Sequence, residues 1–226
     1  MKICGITFFI HWSFVASMIF ITAFVFASVA AWEYLPLLIP IVLEWILIVM
    51  IVLFVHEAGH AMTGVLLGRH VHSVGLVAFG AITAIEDLEK ASKGEQLLIF
   101  VSGPITSLAF AGAIFALWRN SEIASMSASI GLLNAVPIYP LDGGRMMYIA
   151  LRRLPQKLIP LITGSVSCVS CLLVMVLLIH FEDFLSAAMV FIVHVIGLTV
   201  LVNDLRKQKA LSSHEAQFES HSDERE

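Results

Sequence analysis

Long apolar runs recur along this sequence, and they restrict the chain to folds that can be satisfied inside a lipid bilayer. Ile6 to Ala31, Ile41 to Leu67, Gln96 to Trp118, Leu158 to Ile179 and Phe184 to Leu201 carry little charge. A bilayer interior offers no water to unpaired backbone groups, so each span must be a helix or part of a closed barrel. The runs are continuously apolar rather than alternating, which selects helices. With 59% hydrophobic and 13% charged residues and a mean hydropathy of +0.93, the 226-residue chain is excluded from the soluble class. A sixth run, Ile123 to Leu151, begins weakly with Ala124-Ser125-Met126-Ser127-Ala128-Ser129, a composition suited to burial among other helices.

The expected architecture is therefore an all-α polytopic membrane protein. Residues 1–204 form six transmembrane helices, and 205–226 form a polar cytoplasmic tail. Lys2 and Ser28-Val29-Ala30 imitate a secretory signal, but the apolar stretch exceeds the ~7–15 residues such signals use, so it reads as a retained first span. Trp32-Glu33-Tyr34 reads as an interfacial belt, and Pro36 and Pro40 are expected to keep the linker from continuing as one helix. Val71 to Glu86, rich in Val, Ile, Phe and Thr with Gly75 and Gly80, is too short to cross as a helix. It reads as a short membrane-edge β-hairpin between the second and third spans.

Six spans put both termini on one side. Lys2, Arg69, Lys90, Lys93, Arg145, Arg152, Arg153, Lys157, Arg206, Lys207, Lys209 and Arg225 fall there, and only Arg119 falls opposite. That asymmetry makes the terminal side cytoplasmic and the protein a multi-pass resident of the cell membrane.

Against this background His56-Glu57-Ala58-Gly59-His60 stands out, because it lies inside the second span. Residues four apart share a helix face, so His56 and His60 can hold one Zn²⁺ together. Glu57 lies about 100° further round, close enough to take a proton from a water at that ion. Composition alone would produce such a string roughly 1 time in 50, so the motif needs support from elsewhere. Depth supplies some. His56 follows Glu44 by twelve residues and lies about 18 Å deeper along the helix axis. Ionisable groups at that depth are costly and default to function, whereas the rival reading is a pair of helix histidines with local hydrogen bonds.

More support comes from Asn134-Ala-Val-Pro137-Ile-Tyr-Pro140-Leu-Asp142-Gly143-Gly144-Arg145, where prolines and glycines break the fourth span. Two histidines need a third protein ligand, zinc accepts a carboxylate, and Asp142 is the candidate; its rival reading is a helix cap at a kink. Asn134 either orients substrate or satisfies freed backbone. Asn134, Gly80 and Pro137 are the candidate substrate-positioning residues. His70 and His72 have ligand spacing but flank Val71 just outside a span and read as solvated; His11 and His194 read as structural, and His214 and His221 as solvated tail residues. Cys168-x-x-Cys171 sits within an apolar run among serines and reads as packing, and three cysteines make no disulfide framework. No basic stripe suggests nucleic acid.

These motifs resemble the site-2 protease family of intramembrane zinc metalloproteases. The resemblance rests on His-Glu-x-x-His in one span, Gly103-Pro104 in the next, and Asn134-x-x-Pro137-x-x-Pro140-Leu-Asp142-Gly-Gly in the one after, and it covers roughly Leu43 to Leu151, the catalytic core at about 43–151. The six-span layout is similar to the sporulation-type, sigma-factor-processing group, whose members cleave a membrane-associated transcription-factor precursor. That group carries a C-terminal nucleotide-sensing domain, and here the polar segment Asn203 to Glu226 stands in its place. A peptide precursor is therefore an equal candidate substrate. The resemblance implies one zinc ion per chain on His56, His60 and Asp142, Glu57 as catalytic base and acid, and a strand within Val71 to Glu86 that pairs with extended substrate. Implied partners are the bilayer, a membrane-associated protein or peptide substrate, and a membrane-protein inhibitor or regulator. The alternative function is a membrane metal-ion transporter using the same ligands. Transport, however, needs no glutamate beside the first histidine and requires a path to both sides.

Overall fold

The computed structural model describes residues 2–3, 5–29, 35–78, 80–119, 121–181 and 190–203. The expected interfacial belt Trp32-Glu33-Tyr34, the turn after His180, and the 205–226 tail with His214 and His221 lie outside those residues.

Two strands open the fold, Lys2–Ile3 (β1) and Ile6–Ile10 (β2), paired antiparallel across a turn at Gly5, whose φ of 83° favours glycine. Helix α1, Trp12–Val29, follows, with the His11 ring accepting from the Ser13 backbone N–H at 3.3 Å. Helix α2 runs from Leu35 to Leu66, and a hairpin of Val71–Val77 (β3) and Gly80–Ile85 (β4) comes next. The sheet order is β1-β2-β3-β4, with β2 parallel to β3 and β4 antiparallel to it.

Two expectations are corrected here. Ile6–Ile10 belongs to a strand, not to the first helix. A hairpin alone would leave β3 with an unpaired edge; β2 covers it, and Ile-Thr-Phe-Phe-Ile has the branched and aromatic character that suits a strand. Secondly, Pro40 does not stop α2, which continues through it. Pro36 sits in the first turn, where helix N–H groups lack partners anyway, and Pro40 removes only one bond from a 32-residue helix.

Helix α3, Lys93–Trp118, starts with a reciprocal cap: Ser92 Oγ accepts from Glu95 N at 3.3 Å, and Glu95 Oε2 accepts from Ser92 N at 2.8 Å. It ends at Arg119, whose φ is 54°. Helix α4, Ser121–Ala135, then breaks, and α5, Asp142–Ala150, resumes after a segment with a cis Tyr139–Pro140 bond. Helices α6, Leu158–His180, and α7, Val190–Asn203, complete the described chain. Helix α3 lies between α2 and α4.

Among the described residues three helices are long and apolar enough to cross a membrane, Leu38–Leu66, Lys93–Trp118 and Leu158–His180; Trp12–Phe24 and Val190–Asn203 are shorter apolar helices. Ile19 and Phe20 on α1, Leu43 and Leu47 on α2, and Leu172 and Leu173 on α6 are exposed. Apolar surface of this extent is far more than a soluble monomer presents and marks a protein embedded in lipid. The sheet is seated on α2 through Ala61, Val71 and Val74, with Phe8, Phe54 and Ile85 packed around them. That contact brings β4 beside the C-terminal third of α2, with Thr83 at Glu57 and Ile85 at Gly64.

Candidate metal centre

His56 and His60, one turn apart on α2, turn their rings toward α3, with centroids 4.9 Å apart. Asp142, the first residue of α5, comes from the far side of α3 to meet them. His56 Nε2 lies 3.0 Å from Asp142 Oδ2, His60 Nε2 lies 3.2 Å from the same oxygen, and the two Nε2 atoms are 3.3 Å apart. All three residues are buried, and Glu57 beside them is only 7% exposed.

The donor set fits zinc. An ion with bonds of about 2.0–2.1 Å in tetrahedral geometry holds its donors roughly 3.3–3.4 Å apart, close to all three separations. Protonation agrees. His60 Nδ1 is 2.6 Å from the Ile99 carbonyl oxygen. A carbonyl only accepts, so Nδ1 carries the proton and Nε2 presents a lone pair. That lone pair faces a second imidazole nitrogen and a carboxylate, an arrangement that calls for a cation between them.

The outer partners orient each ligand. His56 Nδ1 is 2.9 Å from Ser107 Oγ, and the Ser107 carbonyl accepts from Ser127 Oγ at 2.8 Å, joining α2, α3 and α4. Such partners fix ring orientation and tautomer. Gly103 leaves the space for the two rings: a Cβ there would stand 2.9 Å from His56 Nε2 and overlap His60 Nε2. Glu57 points to the sheet side, where its Oε2 accepts from Thr83 Oγ1 of β4 at 2.6 Å.

The break between α4 and α5 is held from behind. Tyr139 N donates to Ser167 Oγ at 2.9 Å, and that hydroxyl is 3.0 Å from His194 Nδ1. Asp142 is thus placed by α6 and α7 as well as by its own helix. His194 is a buried, hydrogen-bonded residue, as the sequence reading has it. Gly143 and Gly144 let the first turn of α5 lie against the Ala135–Tyr139 backbone, which any Cβ would overlap.

The other candidates lie apart from the three ligands. Asn134 Nδ2 donates to Ile130 O of its own helix at 2.9 Å. Pro137 lies in the break, and Gly80 begins β4 with nothing within 4 Å of its Cβ position. Sequence reasoning missed Ser107, Ile99 and Thr83. Ile99, Gly103 and Ser107 recur every four residues, one stripe of α3, which is a legible signal; Thr83 has none. An apolar cleft of about 550 Å³ between α1 and α2, lined by Phe14, Met18, Val42 and Met50 among others, contains no titratable group and offers no chemistry.

Comparison with known proteins agrees with this geometry. Residues 44–122 match Peptidase family M50. Stage IV sporulation protein FB of Bacillus subtilis is 25% identical over 140 residues, covering 57% of this chain and 48% of that protein. A Ralstonia nicotianae protein named as a zinc metalloprotease is 34% identical over 109 residues, covering 47% of this chain and 21% of the relative. Rip3 of Mycobacterium tuberculosis, also named as a zinc metalloprotease, is 33% identical over 128 residues, covering 48% and 32% respectively. The aligned part spans less than half the length of each of these relatives. The solved structure of a site-2 protease from Methanocaldococcus jannaschii matches with a TM-score of 0.59 over 88% of this chain and 93% of that one, at 17% identity, so the fold is shared.

Proposed function

We propose that this chain, whose residues 44–122 match Peptidase family M50, is an intramembrane zinc metalloendopeptidase of the site-2 type. Its substrate is a membrane-associated precursor protein or peptide, cut in or near a transmembrane segment. The observation that carries the reading is the meeting of His56 Nε2, His60 Nε2 and Asp142 Oδ2 at zinc spacing with Glu57 alongside.

Bound zinc supplies a Lewis acid that makes water a better acid and polarises a peptide carbonyl. The remaining work falls to the chain. Thr83 Oγ1 donates to Glu57 Oε2, which holds one carboxylate oxygen and leaves proton transfer to the other, Oε1. Glu57 Oε1 takes one water proton as the oxygen–carbon bond forms. When the carbon–nitrogen bond breaks, Glu57 returns that proton to the leaving amine. With Nε2 given to the metal, each ligand imidazole would keep its Nδ1 hydrogen for its outer partner, Ser107 Oγ for His56 and Ile99 O for His60.

Hydrolysis requires an extended substrate backbone. β4 is the outer strand of the sheet and touches Glu57 through Thr83, so extended substrate added along β4 would run past the base. Asn134 and Pro137 border the break and Gly80 opens β4; we assign them to substrate positioning. Six spans, with both termini cytoplasmic, complete the proposal. Metal transport is not favoured, because it gives no role to a buried glutamate held against the sheet.

The test is Glu57→Gln in the full chain, with zinc content measured beside cleavage of tagged membrane substrates. Cleavage falls by about 10²–10⁴ while zinc content stays at the wild-type level. Equal product from wild type and variant would overturn the proposal.

A further inference from the structure

His70 and His72 have ligand spacing but read, from their place just outside a span, as solvated residues. They are exposed, but they are not dispersed. His70 Nδ1 and His72 Nε2 each lie 3.7 Å from one oxygen, Oε2 of Glu86, and one ligand atom from each residue lies within 4.8 Å of the others. The imidazole centroids are 4.6 Å apart. At 3.7 Å neither ring makes a hydrogen bond to the carboxylate. Three donor atoms therefore surround a gap, a little wider than the roughly 3.3–3.4 Å donor spacing of a tetrahedral zinc site.

The backbone explains the convergence. Glu86 N donates to His70 O at 2.9 Å, which sets the end of β4 against the start of β3. The pairing then slips between Val71 and Ser73, so His72 is the extra residue of a bulge. Nearby basic groups are drawn elsewhere: Arg69 pairs with Glu95 at 2.8 Å and Lys90 with Asp87 at 2.9 Å.

We infer that His70, His72 and Glu86 form a second divalent-metal site that clamps the open end of the β3–β4 hairpin. Two imidazoles and one carboxylate select zinc and its late first-row neighbours over calcium or magnesium, which favour oxygen ligands. The fourth position is left to water. Exposure makes this site weaker than the buried one, so its occupancy follows the zinc around it. The consequence reaches the catalytic side, because the clamped strand is the one that presents Thr83 to Glu57.

The test uses the full chain in detergent, equilibrated against buffered zinc alone, with bound zinc counted by elemental analysis. Wild type takes up two ions in two separate events. The pair His70→Ala/His72→Ala takes up one, at the tighter affinity. The pair His56→Ala/Asp142→Asn also takes up one, at the weaker affinity, so failure here is distinct from failure at the buried centre. In that second variant, zinc slows amide exchange at Val71–Ser73 and Ala84–Glu86 at least several-fold. A wild-type plateau at one ion would overturn the inference. So would a second ion that survives in His70→Ala/His72→Ala, or exchange in the hairpin that zinc does not change.

Discussion

Gly103→Ala adds one methyl group to α3 and tests whether the helix is fitted to the metal centre. The new Cβ would stand 2.9 Å from His56 Nε2, against an ordinary contact of 3.4 Å or more, so that ring must retreat by at least 0.5 Å; His60 must retreat further. Metal ligands tolerate errors of about 0.2 Å, and functional geometry is lost near 0.5 Å. Changing an outer partner costs about 10–100-fold in metal affinity, and displacing two ligands exceeds that. The expected loss is at least about 100-fold, or roughly 2.7 kcal/mol. Helix propensity acts the other way, since alanine favours a helix by about 0.8–1 kcal/mol over glycine. Gly112, on the same helix with nothing within 4 Å of its Cβ position, is the control. Zinc affinity measured by chelator competition in detergent should collapse in Gly103→Ala and be unchanged in Gly112→Ala. A folded Gly103→Ala protein that binds zinc within about 3-fold of wild type would refute the fitted-wall reasoning.

Other perturbations follow from single contacts. Ser107→Ala removes the His56 Nδ1 partner and should weaken zinc affinity by about 10–100-fold in the same titration. Thr83→Val leaves the metal in place but frees Glu57; kcat should fall about 10-fold with KM nearly constant, and zinc content should not change. Ser167→Ala removes the hydroxyl that Tyr139 N and the His194 ring share in a buried site, so thermal unfolding in detergent should register a loss of about 1–3 kcal/mol.

The membrane class and the three residues that meet at the candidate metal centre were legible in the sequence because each leaves a local mark. Apolar runs announce helices, four-residue spacing puts His56 and His60 on one face, and the clustered prolines and glycines before Asp142 announce a break. The N-terminal strand was not legible: Ile6–Ile10 is as apolar as the helix it precedes, and its conformation is set by β3, over sixty residues away. Pro40 misled for the opposite reason, since a local rule for stopping helices yields to a long helix that spares one bond. Thr83 illustrates the limit of pattern reading. Nothing in Ala-Ile-Thr-Ala-Ile distinguishes a threonine that touches Glu57 from one that faces lipid, because that depends on how the sheet lies on α2.

The segment carrying Asp142 is braced by Ser167 and His194, and both are encoded after it. During synthesis the two imidazoles leave the ribosome first, the carboxylate follows about eighty residues later, and its brace arrives last. The three candidate ligands are therefore held in a braced site only once Ser167 and His194 have been made.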